Sequence, residues 1–207
     1  MSQSSLKTWS EYHQLGESFK QQGNLPEAIL AYDQAIKLNP QSFWSYHQLG
    51  EILVQQEKYS EAIEIYQKAI LIKNDFSWSY YNLGDAFSRL EQWEKALEAY
   101  QKFIKLNPDF WGGYHQLGDV YSRLQQWEDA LNMYNQAIKI NPNFAWSYHN
   151  LGEALFYLKK FTEAEKAYEQ AIFLDPYQRW YYENLMKVLK LLEKRDRFGE
   201  VYQMMIN

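Results

Sequence analysis

The chain carries four histidines, and each stands four residues before an acid: His13 before Glu17, His47 before Glu51, His115 before Asp119 and His149 before Glu153. Residues four apart are neighbours on one face of an α-helix, so each imidazole gains a carboxylate beside it. Imidazole and carboxylate together suit zinc. Helices packed about 8–10 Å apart would bring His47 toward His13. A structural zinc site, however, gathers four ligands at one point, and these pairs are spread evenly along the chain. Catalysis meets the same objection. A catalytic centre is one constellation in a closed pocket, whereas these polar residues recur. No Gly-rich phosphate loop or nucleophile elbow appears either. The expectation is a non-enzymatic chain with no metal and no cofactor.

The elements that carry these pairs repeat. Tyr-x-x-Leu-Gly returns every 34 residues, at Tyr12/Leu15/Gly16, Tyr46/Leu49/Gly50, Tyr80/Leu83/Gly84, Tyr114/Leu117/Gly118 and Tyr148/Leu151/Gly152. Ala28, Ala62, Ala96, Ala130 and Ala164 follow at a fixed distance, then Tyr32, Tyr66, Tyr100, Tyr134 and Tyr168. The units run 9–42, 43–76, 77–110, 111–144 and 145–178, behind a flexible leader 1–8. Each unit reads as two helices. In the third, Tyr80, Leu83, Gly84 and Phe87 share one face, as do Ala96, Leu97, Tyr100, Phe103 and Ile104. The polar break Glu91-Gln92 predicts an antiparallel hairpin. Asn39-Pro40, Asn107-Pro108, Asn141-Pro142 and Asp175-Pro176 stop the second helices, whereas Lys73-Asn74-Asp75 must turn without proline. The repeated Gly and Ala predict close helix approach. A mid-helix Gly costs roughly 1 kcal/mol against Ala, which closer packing must recover.

These residues, their order and their period resemble the tetratricopeptide repeat family. The resemblance covers residues 9–178 and continues in degraded form over 179–207. It implies an all-α, right-handed solenoid superhelix of antiparallel helix pairs, with first helices lining a concave side. In the sixth copy Met186 replaces the Gly, and the charged run Glu193 to Arg197 is expected to displace the second helix. Leu189, Leu191, Leu192, Met204, Met205 and Ile206 keep that end apolar. Either it packs on another chain or the natural protein continues.

The family's ligand-meeting places on the first helices fall here on a patterned set. The second place holds Trp44, Trp78, Trp146 and Trp180, with Trp111 one residue early. The fifth holds His13, His47, Tyr81, His115 and His149. The sixth holds Gln48, Asn82, Gln116, Asn150 and Asn184, and the ninth Glu17, Glu51, Asp85, Asp119 and Glu153. Arg89, Arg123 and Tyr157 occupy the thirteenth. Carboxamides donate and accept, so they suit a peptide backbone. Large aromatics suit partner anchoring, and a row of acids suits a partner with Lys or Arg. Two readings of the tryptophans stay open. They face a ligand, or they pack with Phe76, Phe110 and Phe144 along the seam between units.

The leading expectation is a scaffold that binds a partner peptide or helix along the concave groove. Alternatives are the targeting module of a larger glycosyltransferase or methyltransferase, a glycan-binding surface, and self-association through the apolar end. A net charge of −5 argues against non-specific nucleic-acid binding. The chain has no Cys, which removes disulfides and thiolate metal sites. No apolar run of about 18 residues exists to span a bilayer, and Met1 to Thr8 lack a signal-peptide core. A soluble cytoplasmic protein is the expectation.

Overall fold

The structure, a computed structural model, describes residues 7–206, so most of the expected leader lies outside the described residues. Among these there are twelve helices and no strand: α1 (Trp9–Gln21), α2 (Leu25–Leu38), α3 (Phe43–Gln55), α4 (Tyr59–Ile72), α5 (Ser77–Arg89), α6 (Trp93–Leu106), α7 (Trp111–Arg123), α8 (Trp127–Ile140), α9 (Ala145–Tyr157), α10 (Phe161–Leu174), α11 (Arg179–Leu191) and α12 (Arg195–Ile206). They form two compact units, α1 to α6 and α7 to α12. In the first unit α1 pairs with α2, α3 with α4 and α5 with α6, while α2 lies on α3 and α4 on α5. In the second, α7 pairs with α8, α9 with α10 and α11 with α12, while α8 lies on α9 and α10 on α11. First helices also meet one another, α1 with α3, α3 with α5, and α7 with α9.

Side-chain size explains the hairpin geometry. A Cβ on Gly16, Gly50, Gly84, Gly118 or Gly152 would sit 2.5–2.8 Å from a ring carbon of Tyr32, Tyr66, Tyr100, Tyr134 or Tyr168. Each Gly therefore makes room for the tyrosine ring of the second helix, and those rings are fully buried. Burial of a whole large apolar side chain such as Phe103 contributes roughly 1.5–3 kcal/mol.

Left-handed residues make the turn inside each hairpin. Gly23 supplies the first (φ 76°), but Glu57, Glu91, Gln125, Lys159 and Glu193 adopt φ of 55–59° with a side chain. The next N–H then caps the helix, as Gln92 does on the Phe87 carbonyl at 2.9 Å. An L-residue in this region costs roughly 1–2 kcal/mol, partly offset because Gly loses more chain entropy. Glu91→Gly should therefore raise the urea midpoint, by the equivalent of about 0.5 kcal/mol, with an unchanged m-value. A lower midpoint would refute this account of the turn.

Without proline, α4 still ends at Ile72. Lys73 leaves the helix with φ −137°, as Asn39 does before Pro40. Phe76 then lodges against Phe43, Trp44 and His47, with centroids 4.7–5.3 Å apart, and Tyr80 donates its hydroxyl proton to the Asn74 carbonyl at 3.2 Å.

The sixth copy corrects one expectation. The charged run does not displace the second helix; α12 starts at Arg195, 34 residues after the start of α10 at Phe161. Glu193 makes the usual left-handed turn. Lys194 and Arg197 then pair with Glu165 and Glu169 of α10 at 2.7 and 2.9 Å. What changes is the ring. Met186 occupies the glycine place, and Tyr202, in the tyrosine place, is 45% exposed. Val201 is buried and Met205 packs on the core, but Leu191, Phe198, Met204 and Ile206 are exposed.

Candidate functional site

The histidines correct a second expectation. His47, His115 and His149 are only 4–5% exposed, so they do not meet a partner on a groove surface. His13, His47 and His115 stitch consecutive hairpins together. His13 Nδ1 lies 3.0 Å from Ser45 Oγ, His47 Nδ1 lies 3.1 Å from Ser79 Oγ, and His115 Nδ1 lies 2.9 Å from Ser147 Oγ. The sequence signal was present: a Ser stands 32 residues after each of these three. Tyr81 takes the histidine place and is followed at that distance by Gly113; His149 is followed by Tyr181. With Tyr181 in place of a serine there, His149 Nδ1 is buried with no hydrogen-bond partner. Burial holds the His115 imidazole below its usual pKa against the pull of Asp119. Burial, helped by Lys187, pushes His149 down to about 4. Both rings are therefore neutral near pH 7, and the contacts to the following acids are long, 3.6 Å to Asp119 and 3.9 Å to Glu153. Tyr81 is half-buried and packs 5.0 Å from Phe103 and 5.7 Å from Tyr100.

The tryptophans combine both open readings. Trp44 packs 4.7 Å from Phe76, Trp78 lies 5.5 Å from Phe103, and Trp146 lies 6.0 Å from Trp180. Yet Trp44, Trp78, Trp146 and Trp180 remain 38–45% exposed. Trp44, Trp146 and Trp180 are anchored on the seam and Trp78 on the second helix of its own hairpin, and each offers the rest of its indole to solvent.

In the first unit, Lys20 Nζ donates to Gln48 Oε1 at 2.7 Å and pairs with the Glu51 carboxylate. Burial alone would raise Glu51, but His47 and Lys20 outweigh it and hold its carboxyl at about 2. Asn82 hydrogen-bonds Tyr66. Burial raises the Asp85 carboxyl, against the pull of Arg89. Lys20, Glu51, Tyr66, Asn82 and Asp85 edge a cleft of about 420 Å³.

In the second unit, Asp119 Oδ1 accepts from the Tyr134 hydroxyl at 2.7 Å and from Asn150 Nδ2 at 2.8 Å. Ser122 Oγ lies 3.0 Å from that hydroxyl. This network floors a cleft of about 320 Å³ whose walls include Trp127, Trp146, Glu153, Tyr157 and Arg123. Trp127 and Tyr157 stack with centroids 4.1 Å apart and planes 10° from parallel. Burial raises the Glu153 carboxyl, although Lys187 draws it down. Gln116 is half-buried on α7, and Arg89 and Arg123 are exposed at the ends of α5 and α7. The structure thus gathers Asp119, Arg123, Trp146, Asn150, Glu153 and Tyr157 at one cleft. Lys20, Ser122, Trp127 and Tyr134 were missed by sequence reasoning. Trp127 had a signal, because Tyr59, Trp93, Trp127 and Phe161 recur at the first position of the second helices.

Among the described residues, no three His, Asp or Glu side chains group to hold a metal ion, and no helix is long and apolar enough to cross a membrane. A model described as "TPR repeat" matches residues 16–56, 50–91 and 118–159. Models described as "Tetratricopeptide repeat" match 77–110 and 145–178, and 99–132. No curated protein matches the chain. Among solved structures, the MamA protein is similar at 26% identity and a TM-score of 0.77, over 81% of this chain and 92% of that one. YrrB, reported as a TPR protein with an unusual peptide-binding site, is similar at 23% identity and a TM-score of 0.77, over 84% of this chain and 89% of that one. PilF of Pseudomonas aeruginosa is similar at 18% identity and a TM-score of 0.77, over 93% of this chain and 88% of that one.

Proposed function

Because the chain belongs to the tetratricopeptide repeat family, we propose that it is a non-catalytic interaction scaffold. It holds an extended or helical segment of a partner protein against the exposed face of its first helices, and it prefers a segment with basic residues. The observation that carries this reading is the second unit's cleft. There Trp127, Trp146 and Tyr157 wall a floor of Asp119, Asn150 and Glu153. Aromatics ringing a polar floor suit the anchoring of a partner side chain. The carboxamides and carboxylates supply acceptors for backbone N–H groups and cationic heads.

The buried histidines narrow the contact set to the indoles, Tyr157, the carboxamides and the acids. They also change which variants test it. Asp119 supports Tyr134 and Asn150, so removing it would disturb the fold. Trp146 and Tyr157 are exposed and safer to truncate. Displayed peptide libraries should yield binders enriched in Lys or Arg. Those binders should lose at least tenfold in affinity on Trp146→Ala/Tyr157→Ala, with helicity unchanged. Failure to retain any peptide, or equal affinity for the double variant, would remove this function.

A further inference from the structure

The repeat lets one part of the molecule report on another. In the first unit a lysine on one first helix reaches a carboxamide and an acid on the next: Lys20, Gln48 and Glu51. The same three places, moved by whole repeats, hold Val54, Asn82 and Asp85, then Ser88, Gln116 and Asp119, then Ser122, Asn150 and Glu153, then Phe156, Asn184 and Lys187. The first of these sets edges a cleft that Lys20 itself lines. The last puts Lys187 in the acid's place, which repels a cation. Two sets keep carboxamide and acid while a short hydroxyl stands where the lysine stood, and of these only Ser122, Asn150 and Glu153 lie wholly within the second unit. These three also open into the 320 Å³ cleft.

We propose that this cleft is a socket for one lysine side chain of a partner, whose ammonium takes the place that Lys20 Nζ fills in the first unit. The aliphatic stem would run along Trp127, Trp146 and Tyr157, as long charged side chains do on apolar surface. Its three donors meet Asn150, Glu153 and Asp119. Burial raises both Glu51 and Glu153, but their partners differ. Glu51 is held low by His47 and Lys20. Glu153 stays raised by burial, with Lys187 and Arg123 drawing it down and Asp119 pushing it up. A carboxylate that favours a proton has under-compensated charge, and an ammonium supplies what is missing. A ring within about 6 Å of the ammonium adds a cation–π attraction.

The socket rests on reading this face as a partner surface, and the test separates the two. Nα-acetyl-lysine amide and Nα-acetyl-norleucine amide are titrated into the full chain, observed through the Asn150 side-chain amide and the Glu153 carboxyl by NMR. The lysine probe should shift both signals and lower the Glu153 pKa; the norleucine probe should not. Glu153→Gln should abolish the response. Ser122→Lys should fill the socket from within. It should lower the Glu153 pKa without any probe and cost a selected basic peptide at least tenfold in affinity. Equal shifts from both probes, or a Glu153 pKa untouched by Ser122→Lys in a folded variant, would overturn the socket. Should selected peptides need Trp146 and Tyr157 yet ignore Ser122→Lys, the socket falls and the partner surface stands. Should the lysine probe bind while no peptide is retained, the partner surface falls and the socket stands.

Discussion

Acidification from pH 6.5 to about 4 should cost the wild-type protein about 3 kcal/mol of stability that His149→Phe does not lose. The imidazole is 5% exposed, and burial together with Lys187 lowers its pKa from 6.5 to about 4. Above pH 6.5 the ring is neutral in both states and contributes nothing. Between 6.5 and 4 the unfolded chain takes up a proton that the folded chain refuses, so stability falls as pH falls. Groups around it act differently. Glu153 on the same helix has a raised carboxyl, so its protonation favours the folded state, and that contribution is lost as pH rises through its folded pKa. Lys187 of α11 is the cation that acts on the ring, and the neighbouring Tyr168 and Tyr181 have raised pKa values that keep them neutral. Because Glu153 remains in both proteins, the difference between wild type and His149→Phe isolates the histidine. Phe keeps a ring beside Tyr181, 4.9 Å away, and removes the unpartnered Nδ1. Urea titrations at several pH values measure this; parallel stability curves for the two proteins would sink the account of a refused proton.

Gly118→Ala should lose roughly 2 kcal/mol, although alanine is the better helix former by about 1 kcal/mol. The new Cβ would lie 2.6 Å from Tyr134 Cε1. That ring has little room to yield, because its hydroxyl bonds Asp119 and Ser122 and the side chain is wholly buried. The penalty should reach the cleft, since Asn150 shares Asp119 with that hydroxyl. Gly199→Ala is the matching control. Nothing lies within 4 Å of the added Cβ in α12, so it should gain up to about 1 kcal/mol. Met186 with the outward Tyr202 is the same conflict already resolved in the sequence: without the glycine, the ring leaves. Thermal or urea denaturation of the two alanine variants decides; equal effects at both sites would contradict a steric role for Gly118.

The period and the apolar spacing determined twelve helices, their pairing and the close approach at each repeated glycine. These follow from nearest-neighbour geometry inside a single unit, and a 34-residue repeat states that geometry five times. The same logic misjudged the sixth copy. Glu193 to Arg197 read as an interruption, but a left-handed Glu193 and pairing to Glu165 and Glu169 keep α12 in register.

For the site, sequence reasoning found which faces carry aromatics, carboxamides and acids, because helical periodicity fixes the face. It did not find depth. His47 and Glu51 sit one turn apart, yet the first is buried in the seam and the second only half so. Whether a side chain on the inner face meets solvent or the next hairpin depends on how consecutive hairpins pack. That is set by contacts 28 to 32 residues apart, such as Lys20 with Glu51, His115 with Ser147 and Asn150 with Asp119. A repeat read one unit at a time shows the residues of such pairs but not their meeting. The tertiary structure alone decided which histidines are mortar, which indoles keep an open edge, and where the clefts lie.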